Sequence, residues 1–214
     1  MRLYSFWRSS STYRVRIVLH WKGVPFEYVP VNLLRGEQHA PEYRAKNPLG
    51  TVPALEVEDA QPPLLLAQSA AIAEYLEERF PTPPLFPRTP AARAQVRMLA
   101  EQVVSGIQPL QNTAVLKHVR EALGQDDQAW ATHWISAGLA ALETLAARSA
   151  GRFLVGDDFS WADCCLVPQL ANARRYHLDL SAYPLLSRVE QACLALDAVQ
   201  RAAPDAQPDA QPRR

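Results

Sequence analysis

The stretch PTPPLFPRTP, residues 81 to 90, places five prolines in ten positions. Proline lacks a backbone N–H and locks φ, so the stretch cannot continue a helix and reads as a stiff connector. It contains no Gly or Ser to loosen it, so the parts it joins are expected to pack together. The sequence changes character across it. Before it, short β-prone runs alternate with helical ones; after it, the strand signals vanish.

On the N-terminal side, RLYSFW reads as a short strand. TYRVRIVLHWKG follows as a helix, with Val15, Val18 and Leu19 at i, i+3, i+4 and Gly23 as its stop. FEYVPVN is a second strand, which Pro30 marks as an edge or a bulge. TVPALEV and LLL give two more, and SAAIAEYLEERF is an amphipathic helix with Ser69 as its N-cap. The order β-α-β then β-β-α predicts a small α/β domain over residues 1–82.

On the C-terminal side, Val96, Leu99, Val103, Ile107 and Leu110 recur at spacings of three and four. They predict one long helix, kinked near Pro109. DDQAWATHWISAGLAALETLAARSA is a second helix. SWADCCLVPQLANARRY is a third, mostly apolar and so central, opening on a Ser160–Asp163 capping box with Phe159 placed for a staple against Cys164. PLLSRVEQACLALDAVQRA is a fourth. Residues 88–204 therefore form an all-α domain, and 205–214, DAQPDAQPRR, a polar tail expected to be disordered.

Composition narrows the function classes. The 214 residues are 48% hydrophobic, enough for a sizeable core, and the charges balance, so no bulk field draws nucleic acid or a membrane surface. A small molecule or another chain is the expected partner. Cys164, Cys165 and Cys193 form no CxxC pair, which argues against a zinc site or a disulfide framework and fits a reducing compartment. MRLYSFW lacks the apolar run of a signal peptide, and no run of eighteen apolar residues spans a membrane, so a soluble, cytoplasmic protein is expected.

Four constellations bear on chemistry. In FWRSSSTYRVRIVL, Ser9 and Ser10 lie where a helix begins near Ser11 or Thr12. They either cap it or donate to a thiolate whose pKa the helix dipole lowers. Arg14 is i+4 from Ser10 and i+3 from Ser11 and shares their face, whereas Arg16 points elsewhere, structural or solvent-facing. In NPLGTVPALE, Val52 offers backbone groups beside Pro53, a candidate cis residue: an ordinary edge proline, or a place for an extended peptide to add as a strand. Gln68 and Ser69 open a helix, as a plain cap or a carboxylate site. Gln108, Gln111 and Asn112 fall on one helical face, lining a polar cleft or simply exposed. Arg174 and Arg175 sit in a helix expected to be buried, so each needs an internal carboxylate or an anionic substrate.

Taken together, RSSSTYRVRI, NPLGTVPAL, QSAAIAEYLEERFPTPPL, SGIQPLQN, GDDFSWADCCLVPQL and YPLLSRV resemble, in order and spacing, the glutathione transferases, and most closely their zeta class. The resemblance covers the chain up to the polar tail. It implies a thioredoxin-like N-terminal domain, an all-helical C-terminal domain, a homodimer and glutathione as cofactor. It implies that Ser9 hydrogen-bonds the glutathione sulfur and that Ser10, Ser11, Thr12, Tyr13 and Arg14 continue the glutathione loop. Gln38, Val52, Gln68 and Ser69 match glutathione-binding positions, with Pro53 as the cis proline. Gln108 and Asn112 match the active-site wall and Arg175 a substrate-side arginine; Arg14 and Gln108 also fall on the substrate side, and Ser9, Ser10 and Arg14 carry the catalytic roles. The implied reaction is cis–trans isomerisation of maleylacetoacetate, a small dicarboxylate, to fumarylacetoacetate, in tyrosine degradation. Maleylpyruvate isomerisation, transfer to α-haloacids, and glutathione binding without turnover are the alternatives. One departure stands out: the zeta pattern is Ser-Ser-Cys, and here the third residue is Ser11. Maleylpyruvate isomerases also lack that cysteine, whereas IQPLQN looks like the maleylacetoacetate enzymes.

Overall fold

The structure, a computed structural model, describes residues 1–211. Its contacts divide the chain into two units: Met1–Pro83 together with the chain from Leu196, and Pro84–Ala195.

The first unit is built on four short strands, β1 (Arg2–Ser5), β2 (Glu27–Pro30), β3 (Ala54–Val57) and β4 (Leu64–Ala67), in the order β2-β1-β3-β4. β1 and β2 run parallel, joined by helix α1 (Ser10–Trp21); β3 is antiparallel to β1 and to β4. Pro30 ends β2 at the sheet edge, where its missing N–H costs no ladder bond. A short helix, α2 (Pro41–Lys46), which the residue pattern does not announce, precedes β3, and α3 (Ser69–Arg79) follows β4. This is the thioredoxin-like arrangement. Gly23, at φ 64°, ends α1 as expected, its N–H on the His20 carbonyl at 3.1 Å.

α1 is more deeply buried than an amphipathic helix: every side chain from Thr12 to Leu19 is inside. The reason lies at the other end of the chain. The expected fourth helix breaks at Ala195–Leu196 into α8 (Pro184–Leu194) and α9 (Asp197–Ala202), and α9 packs on α1. The last stretch of the expected 88–204 helical domain thus belongs to the first unit. The polar tail is a correction too. Pro204–Ala206 forms a helical turn, Gln207 is buried and Ala210 packs against the buried cluster to which Tyr4, Phe6 and Trp7 belong. Its polar groups find partners that composition cannot reveal. Residues 212–214 of that expected tail lie outside the described residues.

The second unit is helical. α4 (Pro90–Glu101) runs into a π-helical turn at Gln102–Ile107 and a 3₁₀ turn at Gln108–Gln111, and α5 (Thr113–Glu121) then starts afresh on Asn112. The single kinked helix expected here is therefore broken at Pro109, whose ring and missing N–H forbid the α ladder. α6 (Asp127–Ala146) follows, and α7 (Trp161–Arg175) is central as expected, with its first ten residues all buried. The capping box is present: Asp163 accepts from the Ser160 N–H at 2.9 Å and from the Ser160 hydroxyl at 2.7 Å. Each fully buried Leu, Ile or Val of this core, such as Val96, Leu99, Ile135 and Leu166, adds about 1.5–3 kcal/mol of transfer free energy. Among the described residues no helix is long and apolar enough to cross a membrane.

Candidate functional site

Strand register decides which loops meet. Tyr4 of β1 lies opposite Ala54 of β3, and Ala54 opposite Ala67 of β4. The chain leaving β1 toward Ser9, the chain entering β3 through Val52 and Pro53, and the chain leaving β4 into Gln68 and Ser69 therefore share one end of the sheet. The Val52–Pro53 peptide is cis, as expected.

Ser9 is the N-cap of α1. Its N–H donates to the Phe6 carbonyl at 3.0 Å, and its Oγ accepts from the Thr12 N–H at 3.4 Å. Among the described residues its own hydroxyl proton has no acceptor. The first turn of α1 carries no acidic side chain, so the positive end of the helix dipole is not neutralised there. Ser10 and Ser11 are half-buried beside it.

The rest of the predicted loop turns inward. Thr12 donates to the Phe6 and Ser9 carbonyls at 2.9 and 3.0 Å, and the Tyr13 hydroxyl reaches the Val199 carbonyl at 3.5 Å. Arg14, expected on the catalytic and substrate side, is 1% exposed and donates from Nη1 to Ser69 Oγ at 3.1 Å. It acts on the start of α3 rather than on solvent. Arg16 is structural, the first of the two expected options. It is fully buried, and it donates to the Ala202 carbonyl at 2.9 Å and the Trp7 carbonyl at 3.0 Å. Burial lowers its pKa to about 10.

Ser69 is the first helical residue of α3, not its N-cap; the cap position is Gln68, whose side chain makes no capping bond. Gln68 holds φ 73°, a conformation that costs a non-glycine residue about 1–3 kcal/mol and that concentrates at functional sites. Its side chain is exposed. Gln38 lies in a 3₁₀ turn, and its Oε1 is buried without a hydrogen-bond partner. Gly50 lets this turn close on the approach to β3: a Cβ there would lie 3.1 Å from the Gln38 carbonyl, at a φ of 59°.

The second unit carries the remaining predicted residues. Gln108, Gln111 and Asn112 do not share one helical face, because the chain changes from π to 3₁₀ to extended across them. Asn112 caps α5 through the Ala114 N–H at 3.0 Å, and Gln108 is half-buried. Gln111 is buried and joins an amide chain that sequence reasoning missed. It donates to Gln169 Oε1 at 2.6 Å and accepts from Asn172 Nδ2 at 2.6 Å; Asn172 Oδ1 in turn accepts from Arg175 Nη1 at 2.8 Å. The available signal was two amides three residues apart, Gln169 and Asn172, inside an apolar run. The two arginines are exposed at the end of α7, contrary to the expected burial; Arg174 pairs with the buried Glu190, and Arg175 donates from Nη1 to Asn172 Oδ1.

Two family models match this chain: the glutathione S-transferase N-terminal domain over residues 8–79 and the C-terminal domain over 128–192. Maleylacetoacetate isomerase of Rattus norvegicus is 48% identical over 210 residues, 97% of this chain and 94% of that one. A crystal structure of maleylacetoacetate isomerase from Anaeromyxobacter dehalogenans, with dicarboxyethyl glutathione and citrate bound in its active site, matches with a TM-score of 0.91. It is 54% identical and covers 99% of this chain and 97% of its own. The structure of a maleylpyruvate isomerase, described as a bacterial glutathione S-transferase in the zeta class, matches with a TM-score of 0.94 at 45% identity, over 99% of this chain and all of that one. With both domain models matched in order and full-length relatives near half identity, the chain belongs to the glutathione S-transferase family, in its zeta class.

Proposed function

We propose that the chain is a glutathione-dependent cis–trans isomerase that converts maleylacetoacetate to fumarylacetoacetate. The observation that carries the reading is Ser9: a hydroxyl with an uncommitted proton, at a helix N-terminus, at the sheet end where Pro53 and Gln68 also lie. The residues fit glutathione. The orphaned Gln38 Oε1 needs an N–H donor, and Gln68 is held at a positive φ beside the first turn of α3. When bound, glutathione would supply a thiolate nucleophile able to add reversibly to the cis double bond.

The protein's own residues do the rest. Ser9 would donate to the sulfur, and the positive end of α1, with no acidic residue in its first turn, would lower the thiol pKa. Ser10 and Ser11 continue the polar rim. Backbone groups of Val52 pair with the extended tripeptide, and Ser69, aimed by Arg14, takes a carboxylate with the first N–H groups of α3. Gln38, Gln68, Gln108 and Asn112 complete the polar contacts. Arg175, held by Asn172, takes a substrate carboxylate. The reading includes a homodimer in the cytoplasm, and three cysteines outside any disulfide suit that reducing setting.

Ser11, where the zeta pattern has Cys, favours maleylpyruvate as the second reading, and one of the similar structures is a maleylpyruvate isomerase. The test follows loss of the maleyl chromophore with each acid, with and without glutathione. Glutathione-dependent turnover with the higher kcat/KM for maleylacetoacetate supports the first reading; the reverse order selects the second. Ser9→Ala should lower kcat about 10²-fold while glutathione affinity changes less than about threefold. Equal loss of both would contradict a role for Ser9 at the sulfur.

A further inference from the structure

The loop that carries Ser9 is fastened by residues some two hundred positions away. Asp209 Oδ2 accepts the Trp7 N–H at 3.1 Å, and Asp209 Oδ1 accepts the Tyr28 hydroxyl at 2.6 Å. The Trp7 carbonyl accepts from Arg16 Nη2 at 3.0 Å, and Arg16 Nε donates to the Ala202 carbonyl at 2.9 Å. Both polar groups of the Trp7 backbone, two residues before Ser9, are thus tied to the C-terminal segment. That segment is itself anchored. The buried Gln207 amide donates to the Arg201 and Ala203 carbonyls at 2.9 and 2.8 Å, closing the end of α9, and Ala210 packs on the cluster containing Phe6, Trp7 and Val52.

We propose that residues 202–210 form a strap that sets the position of Ser9, with Asp209 as its positioning residue. The inference rests on the reading of Ser9 as the group that holds the glutathione sulfur. The physical case is that each oxygen of Asp209 engages one donor, one on the Ser9 loop and one on β2, so the carboxylate fixes the loop against the sheet edge. Without it, a partly buried N–H loses its acceptor and the turn from Phe6 to Ser9 gains alternative conformations. A displacement of Ser9 Oγ by a fraction of an ångström weakens its bond to the developing or departing thiolate while leaving the contacts to the rest of the tripeptide in place. Asp209 is therefore expected to affect kcat and thiol ionisation more than glutathione affinity. A tail that merely adds stability would shift the melting temperature and leave both alone.

The experiment compares the full-length protein with Asp209→Ala, Asp209→Asn, Tyr28→Phe and Ser9→Ala. Each is scored for kcat, glutathione KM and the ionisation of bound glutathione, the last from the ultraviolet absorbance of the thiolate against pH. Asp209→Ala should raise the bound thiol pKa by about one unit and lower kcat about tenfold at neutral pH, with glutathione KM within about threefold. Asp209→Asn, which keeps an acceptor oxygen for the Trp7 N–H, should recover most of kcat. If Asp209→Ala does not fold, Tyr28→Phe decides: it removes one of the two anchors and should shift kcat and thiol pKa in the same direction, about threefold. Wild-type kcat and thiol ionisation in Asp209→Ala, or in Tyr28→Phe where it must stand in, would overturn the proposal, as would an Asp209→Asn no better than Ala. If Ser9→Ala itself leaves thiol ionisation unchanged, the reading of Ser9 has failed and the strap fails with it.

Discussion

Asp163 is fully buried at the start of α7, and three donors converge on it: the Leu154 N–H at 2.9 Å, the Ser160 N–H at 2.9 Å and the Ser160 hydroxyl at 2.7 Å. Asp163→Ala leaves two buried backbone N–H groups without acceptors, while the hydroxyl can rotate. At about 1–3 kcal/mol for each orphaned donor the expected loss is about 4 kcal/mol, a large part of the 5–15 kcal/mol of a typical domain. Asp163→Asn keeps one acceptor oxygen and should lose about half as much. The carboxyl also carries a pH signature. Burial pushes its pKa from 3.8 to about 6, against the pull of the Leu154 and Ser160 hydrogen bonds. Between those values the folded chain holds a proton that the unfolded chain releases, so this group's contribution rises as pH falls through 6 and is complete below about 4. Integrated between pH 7 and pH 5, the gain is on the order of 1 kcal/mol, and it is larger in full. Urea unfolding followed by far-ultraviolet circular dichroism at both pH values tests this. The stability gap between wild type and Asp163→Asn should widen at pH 5, by on the order of 1 kcal/mol. A gap independent of pH, or a loss under about 1 kcal/mol in Asp163→Ala, would refute the reasoning.

Two further predictions concern buried charge and buried thiol. The Lys22 side chain is fully buried, paired with Glu77 and donating to the Pro83 carbonyl at 2.6 Å. Lys22→Met should cost about 3–5 kcal/mol in thermal or urea unfolding, because it breaks a buried pair from one side; a loss under about 1 kcal/mol would contradict that. Cys164, Cys165 and Cys193 are all buried, and burial raises the Cys164 and Cys193 pKa values. A thiol reagent should label none of them in the native protein and all three after denaturation, and rapid native labelling would show that α7 and α8 open readily.

Features written in short-range chemistry were legible from the sequence. Gly23 ends α1, which begins at Ser10, a residue or two before the expected start; Ser160 and Asp163 form their box, Pro53 is cis, and the proline-rich stretch holds the Pro83–Pro84 boundary at which the second unit begins. Features decided by what covers a surface were not. The i+4 spacing put Arg14 on the face of Ser10, but only the fold brings the start of α3 there, so the guanidinium meets Ser69. The three-and-four periodicity ran through Pro109, yet a π turn, a 3₁₀ turn and a new cap at Asn112 replaced one helix. The segment DAQPDAQ looked like a solvated tail because its composition is polar; the partners of its Asp209 and Gln207 are far away in sequence or in the backbone it caps.

The same contrast explains why Ser9 can be singled out from a crowded polar loop. Around it, Thr12 Oγ1 donates to two carbonyls and itself accepts from Arg16 at 3.0 Å, the Ser5 hydroxyl accepts from Arg16 at 3.3 Å, and the Trp7 backbone is held on both sides. A site that must stabilise an anion works best when its donors are fixed beforehand and no reorganisation is needed at the moment of reaction. Saturating the neighbours achieves that: the loop has few ways to relax, and Ser9 keeps its proton while its oxygen is fixed by the helix it caps. On the proposed reading of Ser9, capping and sulfur binding would be two uses of one hydroxyl, the oxygen accepting from the Thr12 N–H and the hydrogen left for a thiolate.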